Sequence, residues 1–146
     1  MNILVSACLL GEKCRYDGQS KPCEAVLALS RKHNLIAVCP EVDGGLSVPR
    51  PACERVLDRV LTKDGVDKTS QYKKGAELAL KAAVENDCKY AVLKLKSPAC
   101  SPNRIYDGSF SHKLVDGYGV AAQLLLENGI KVLGEDNIAV LEEEML

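Results

Sequence analysis

A single α/β domain spanning residues 1–146 is predicted for this chain, built on a Rossmann-like, mostly parallel sheet with helices on both faces and one β-hairpin excursion. Three observations lead there. Short apolar runs of strand length recur, namely Ile3-Leu4-Val5, Leu35-Ile36-Ala37-Val38, Tyr90-Ala91-Val92-Leu93 and Ile130-Lys131-Val132-Leu133. Segments with helical apolar spacing separate them, and strands alternating with helices imply parallel pairing through crossovers. Cys8, Cys39 and Cys100 each fall just past the end of one of these runs. In an open α/β sheet the carboxyl ends of the strands gather on the edge where ligands bind.

The first strand ends at Ser6-Ala7-Cys8, and a loop follows through Gly11, Cys14, Arg15, Asp17 and Gly18. Pro22 suits the first turn of a helix from Pro22 to His33, with Asn34 as its left-handed stop. The second strand ends at Cys39. From Pro40 to Pro51 the chain is rich in Gly and Pro and reads as loop. Asp64-Gly65, between Arg59-Val60-Leu61-Thr62 and Val66-Asp67-Lys68-Thr69, signals a hairpin. Ala76, Ala79, Leu80, Ala83 and Val84 mark a helix from Ser70 to Asn86. A strand around Ala91 to Leu95 comes next, then a long loop from Lys96 to Gly117. Val120, Ala121, Leu124 and Leu125 share one face of a helix from Tyr118 to Asn128, which Gly129 ends. After the last strand, a short helix from Ile138 to Met145 closes the chain.

With 146 residues the chain is long enough to bury about two thirds of its unfolded surface. Nineteen basic and twenty acidic side chains nearly cancel, which excludes a basic nucleic-acid footprint and a polybasic membrane anchor. One Phe, five Tyr and no Trp argue against a stacking platform for single-stranded nucleic acid. The first apolar run is too short for a signal or membrane segment and lacks a basic leader, so a cytoplasmic protein is expected. Seven cysteines, an odd number in a reducing compartment, disfavour a disulfide scaffold. Cys88, in the turn Asn86-Asp87-Cys88-Lys89, reads as a buried thiol behaving as a small hydrophobe. Cys23 and Cys53 sit beside prolines at apparent helix starts and read as packing residues.

Two long irregular loops in a small domain point to function. One carries Cys39-Pro40-Glu41, the other Ser97-Pro98-Ala99-Cys100. No C-x2-C pair or His pair of zinc-knuckle spacing occurs, and no ferredoxin run of cysteines. A tripod with one cysteine per strand end is the remaining arrangement for a metal or iron–sulfur site, and it leaves one coordination position open. The alternative is three cysteines lining a crevice without metal. Glu41 lies two residues from Cys39 and Ser97 three from Cys100, a carboxylate and a hydroxyl suited to proton transfer and substrate orientation. Equally, Ser97 can form a turn and Glu41 can accept backbone N–H bonds. Arg15, Asp17, Arg50, Lys94 and Lys96 read as solvated charges, with binding of a polar heterocycle as the alternative. The loop Ile105-Tyr106-Asp107-Gly108-Ser109-Phe110-Ser111 holds the only Phe, expected to pack as a wall or lid. His112 reads as a satisfied loop histidine, and Gly44-Gly45 lacks the context of a dinucleotide-binding turn.

Four motifs then occur in order: Cys8-Leu9-Leu10-Gly11 with Cys14-Arg15-Tyr16-Asp17-Gly18, Cys39-Pro40-Glu41-Val42-Asp43-Gly44-Gly45-Leu46 with Pro49-Arg50, Lys94-Leu95-Lys96-Ser97-Pro98-Ala99-Cys100, and Ile105-Tyr106-Asp107-Gly108-Ser109-Phe110. Through them the chain resembles the bacterial thiouracil desulfidase family over nearly its whole length. The resemblance implies a 4Fe–4S cluster held by three cysteines, with an open iron that takes the sulfur of a small thiolated pyrimidine while water replaces it without net redox change. Carried onto this sequence, Cys8, Cys39 and Cys100 are the implied ligands, with Cys14 as the substitute for any of them. Glu41 and Ser97 are the implied acid–base and positioning residues. Ser101-Pro102 after the third cysteine, a short segment from Pro51 to Asp64, and Cys53 within it depart from the family pattern. A cluster or metal carrier without catalysis is the alternative function, and a metal-free small-ligand domain a third.

Overall fold

The computed structural model describes residues 1–144, with the backbone alone at Glu144. Four strands form the central sheet: β1 (Asn2–Ser6), β2 (Asn34–Val38), β5 (Tyr90–Leu93) and β8 (Lys131–Gly134). All pair in parallel in the order β2-β1-β5-β8. On the central strand β1, Ile3, Leu4 and Val5 are fully buried, as expected where helices cover both faces and the strand reads as one apolar run. Leu4, Ala91, Leu93 and Val132 face α3 (Thr69–Glu85) and α4 (Val120–Glu127), while Ile3, Val5, Val92 and Leu133 face α1 (Glu24–Leu29) and α5 (Ile138–Glu144). The α/β class and the parallel sheet are thus as expected, and Gly129 ends α4 with φ 81°. The expected helix end at Met145 lies outside the described residues.

Four expectations need correction. The helix expected to His33 ends at Leu29, and Asn34 is no left-handed stop. Instead Asn34 opens β2 in register with Asn2, and their side-chain amides bond at 3.2 Å. The hairpin pairs β3 (Cys53–Val56) with β4 (Arg59–Thr62), turning at Leu57-Asp58 rather than at Asp64-Gly65. Asp64-Gly65 still makes a tight turn, but only one bridge forms beyond it, Leu61 with Asp67. The returning chain bonds β4 through the Thr62 N–H to the Val66 carbonyl and the Lys68 N–H to the Val60 carbonyl, and it stops there because α3 begins at Thr69. Finally, the stretch from Lys96 to Gly117 contains a small hairpin of β6 (Arg104–Tyr106) and β7 (Leu114–Asp116). Its three-residue strands are too short to show alternation.

A further helical turn, α2 (Pro40–Asp43), follows Cys39 where loop was expected. Pro40 presets the backbone at its first position, and the Asp43 carboxylate accepts the Cys39 N–H at 3.2 Å. Two glycines explain its place. A Cβ on Gly75, in mid-α3, meets the Pro40 carbonyl oxygen at 1.8 Å, and one on Gly44 meets the Gln71 carbonyl oxygen at 2.0 Å. The backbones of α2 and α3 therefore touch directly, which offsets the roughly 1 kcal/mol that glycine costs inside a helix.

Candidate active site

Above the carboxyl ends of β1, β2 and β5 opens a cavity of about 480 Å³ that Cys8, Cys39, Cys100, Glu41 and Ser97 all line. Each arrives by its own route. Cys8 sits in a 3-10 turn (Ala7–Leu10) immediately after β1, and its carbonyl takes the N–H groups of Gly11 and Lys21. Cys39 caps α2 just past β2. Cys100 is carried by a tight turn in which the Ser97 hydroxyl oxygen accepts the N–H groups of Ala99 and Cys100, both at 3.1 Å. The turn is locked onto α4: the carbonyls of Pro98, Ala99 and Ser101 receive the N–H groups of Val120, Ala121 and Gly119 at 2.8–2.9 Å. Those donors open a helix and have no partner within it.

Glu41 is held on both oxygens. The buried Tyr72 hydroxyl on α3 donates to Oε2, and Arg50 approaches Oε1 at 3.3 Å. Burial and the neighbouring Glu41 charge push Tyr72 far above the usual phenol range, so it stays a donor. Arg50 also donates to the Ser47 and Cys14 carbonyls, both at 3.0 Å. Its Nε is buried without a partner among the described residues. Expected as a solvated charge, Arg50 is only 8% exposed and ties α2 and its own loop to the loop that carries Cys14. Lys94 is also paired, with Glu135 at 3.3 Å. Arg15 lies near Asp17 at 3.9 Å, and Lys96 is exposed.

Cys14 joins the three expected thiols. Its sulfur hydrogen-bonds Cys39 and Cys8, while Cys39 Sγ lies 3.8 Å from the Cys14 carbonyl oxygen. In Cys14 the bond with Cys39 pulls the thiol down, but the bond with Cys8 and burial outweigh it and leave it raised to about 11. Cys39 is pushed up by its Cys14 hydrogen bond and by burial, and Cys100 by burial to about 12. Crowded, desolvated thiols resist ionisation until a cation compensates them, so metal binding there releases protons. Among the described residues, no three His, Cys, Asp or Glu side chains close tightly enough to hold a single ion. Cys8, Cys14, Cys39 and Cys100 all line the one cavity, a donor set suited in kind to an iron–sulfur cluster.

Other expectations divide. Cys88 is buried in the core, and Cys23 caps α1 and packs on the side of the sheet that α1 and α5 cover. Cys53 opens a strand, not a helix; it is buried and lines the cavity. Phe110 and His112 stand at the mouth, where His112 is exposed and meets the Tyr106 ring edge-on at 5.8 Å. Ser6, whose hydroxyl accepts the Lys94 N–H at 3.0 Å, and Glu54 also line the cavity, and Tyr72 reaches the site through Glu41; no sequence motif marks Ser6 or Glu54. The Tyr72 signal was present: it shares one helix face with Ala76, Ala79 and Ala83, and a phenol among alanines needs a polar partner.

The chain matches the 2-thiouracil desulfurase family over residues 3–137. It belongs to that family. Uncharacterized protein YbbK of Bacillus subtilis (strain 168) is 36% identical, the alignment taking in 93% of this chain and 97% of that protein. A solved structure of the 4Fe–4S-dependent thiouracil desulfidase TudS superposes with a TM-score of 0.93 at 42% identity, covering 99% of each chain. No helix among the described residues is long and apolar enough to cross a membrane.

Proposed function

We propose that this family member removes sulfur from a small thiolated heterocycle such as 2-thiouracil by hydrolysis, exchanging C=S for C=O and releasing hydrogen sulfide. Cys8, Cys39 and Cys100 hold a 4Fe–4S cluster in this reading, and Cys14 stays unligated. One observation carries it: the cavity that collects those three sulfurs also holds a clamped carboxylate and a hydroxyl. When bound, the cluster supplies a Lewis-acidic iron with affinity for the substrate's soft sulfur.

The chain's own groups do the rest. Glu41 accepts a proton from the water that attacks the carbon bearing sulfur, and returns it to the departing sulfide. Arg50 and Tyr72 fix both of its oxygens, so the carboxylate need not reorganise as charge develops. The Ser97 oxygen is occupied by two N–H groups, so the hydroxyl acts as a donor, facing the Cys100 sulfur and able to turn toward the ring or the departing sulfur. Val38, Pro40 and Pro98 give the cavity apolar walls.

Anaerobic reconstitution tests this. The expected result is four irons and four labile sulfides per chain, on the order set by one cubane, with sulfide released from 2-thiouracil. Cys8→Ser, Cys39→Ser and Cys100→Ser each lose the iron, and Glu41→Gln keeps the iron but loses turnover. A fully loaded chain that releases no sulfide from any thiolated pyrimidine overturns the enzymatic reading in favour of a cluster-binding protein.

A further inference from the structure

The cavity's outer wall is the tip of the β6–β7 hairpin, and its conformation is unusual. Gly108, Phe110 and His112 alternate along it with φ of 96°, 57° and 61°. Left-handed backbone is disfavoured for any residue with a Cβ, so two side-chain-bearing residues hold it only if their surroundings enforce it. At Phe110 the enforcing group is Glu54 on β3, a carboxylate only 8% exposed. Its Oε1 accepts the Gly108 N–H at 2.9 Å and the Phe110 N–H at 3.1 Å. These two amides flank Ser109, and one buried oxygen thereby fixes the turn between them. Asp107 supports the same turn from within, accepting from the Ser109 N–H at 2.9 Å, while its own N–H reaches the Lys113 carbonyl at 2.9 Å. The tip is pressed on β3 so closely that a Cβ on Gly108 falls 2.2 Å from Val56 Cγ2.

The outcome of this bracing is the placement of rings. Tyr106, Phe110 and His112 all line the cavity that the thiols line, and Phe110 is the only phenylalanine of the chain. A phenyl ring kept half-exposed by a disfavoured backbone does little for the core. It does offer a flat apolar face to a flat ring. We propose that Glu54 is a positioning residue for substrate recognition: it pins the hairpin tip so that Phe110 forms the wall on which a planar heterocycle packs. The inference rests on the functional reading above and names the part of the cavity that selects ring shape, separate from the sulfur-directed end.

The loaded wild type is compared with Phe110→Ala, Phe110→Leu, Glu54→Ala and Glu54→Gln. Three readouts are taken: amide exchange of residues 107–112, equilibrium binding of uracil, and KM and kcat for 2-thiouracil. Loss of ring-on-ring packing raises KM and the uracil dissociation constant about threefold to tenfold in Phe110→Ala. Iron content and kcat stay near wild type, and Phe110→Leu recovers part of the loss. Glu54→Ala speeds exchange across the tip and weakens uracil binding by a similar factor. Glu54→Gln keeps the acceptor oxygen and stays near wild type in both. Unchanged uracil binding and KM in Phe110→Ala overturn the inference, as does a Glu54→Ala chain whose tip exchanges as slowly as wild type. If Glu54→Ala fails to fold, the exposed-tip Phe110 variants decide. Should wild type bind uracil but release no sulfide, the functional reading fails while the binding arm still decides this one; wild type that binds no planar ring refutes it.

Discussion

Replacing Arg50 by Met removes a guanidinium while keeping most of its apolar stem in place. The Arg50 side chain is 4% exposed and Glu41 17%, so the substitution strands a largely buried carboxylate. The Cys14 and Ser47 carbonyls also lose the Arg50 donor. Breaking a buried pair from one side costs about 3–5 kcal/mol, and the partial access of Glu41 to water places this one near the lower figure. For a chain of this size about 3 kcal/mol lowers Tm by about 6–12 °C. Calorimetry of wild type, Arg50→Met, Glu41→Gln and the double variant separates the pair from the bystanders. Once the carboxylate is neutral, losing Arg50 matters less, and the cycle leaves a coupling of about 1–3 kcal/mol. A coupling indistinguishable from zero, or an Arg50→Met chain within about 0.5 kcal/mol of wild type, the range of ordinary surface substitutions, would falsify the clamp and return Arg50 to the solvated charges.

Other outcomes follow from the same geometry. Gly75→Ala gains about 1 kcal/mol of helix propensity yet drives a methyl into the Pro40 carbonyl, so denaturant melts show a net loss of about 1–3 kcal/mol, with iron loading falling as Cys39 shifts. Tyr72→Phe keeps the ring and loses the donor to Glu41; kcat falls while iron per chain is unchanged, and equal loss of both shows that Tyr72 is only structural. Asp67 is held down to about 2 by hydrogen bonds from Thr69 and Arg59, below its ordinary 3.8. A depressed carboxylate stabilises the fold above its unfolded value, so the stability gap between wild type and Asp67→Asn is constant above 3.8 and closes as pH falls through about 2. Cys14→Ser retains its full complement of iron, measured beside Cys39→Ser, which does not.

The strands and main helices were legible because buried parallel strands must be apolar without interruption and their covering helices must repeat at 3.6 residues. The three strand-end cysteines and the Glu41 and Ser97 beside them were likewise visible as spacing, since a parallel sheet sends its carboxyl ends to one edge. Only the tertiary structure decided what surrounds them. The Arg50 and Tyr72 that clamp Glu41 lie 9 and 31 residues away from it in sequence, and no local pattern encodes a partner brought in by packing. The return past Asp64-Gly65 forms but is cut to one bridge where α3 begins at Thr69, while the full ladder of β4 goes to β3 across Leu57-Asp58, a partner only the folded chain reveals. Gly75 carries no helical signal, yet it seats α2 at the depth where Glu41 reaches its partners. Residue type and period are written along the chain; which charge is buried against which, and which backbone must touch another, exists only once the chain has closed on itself.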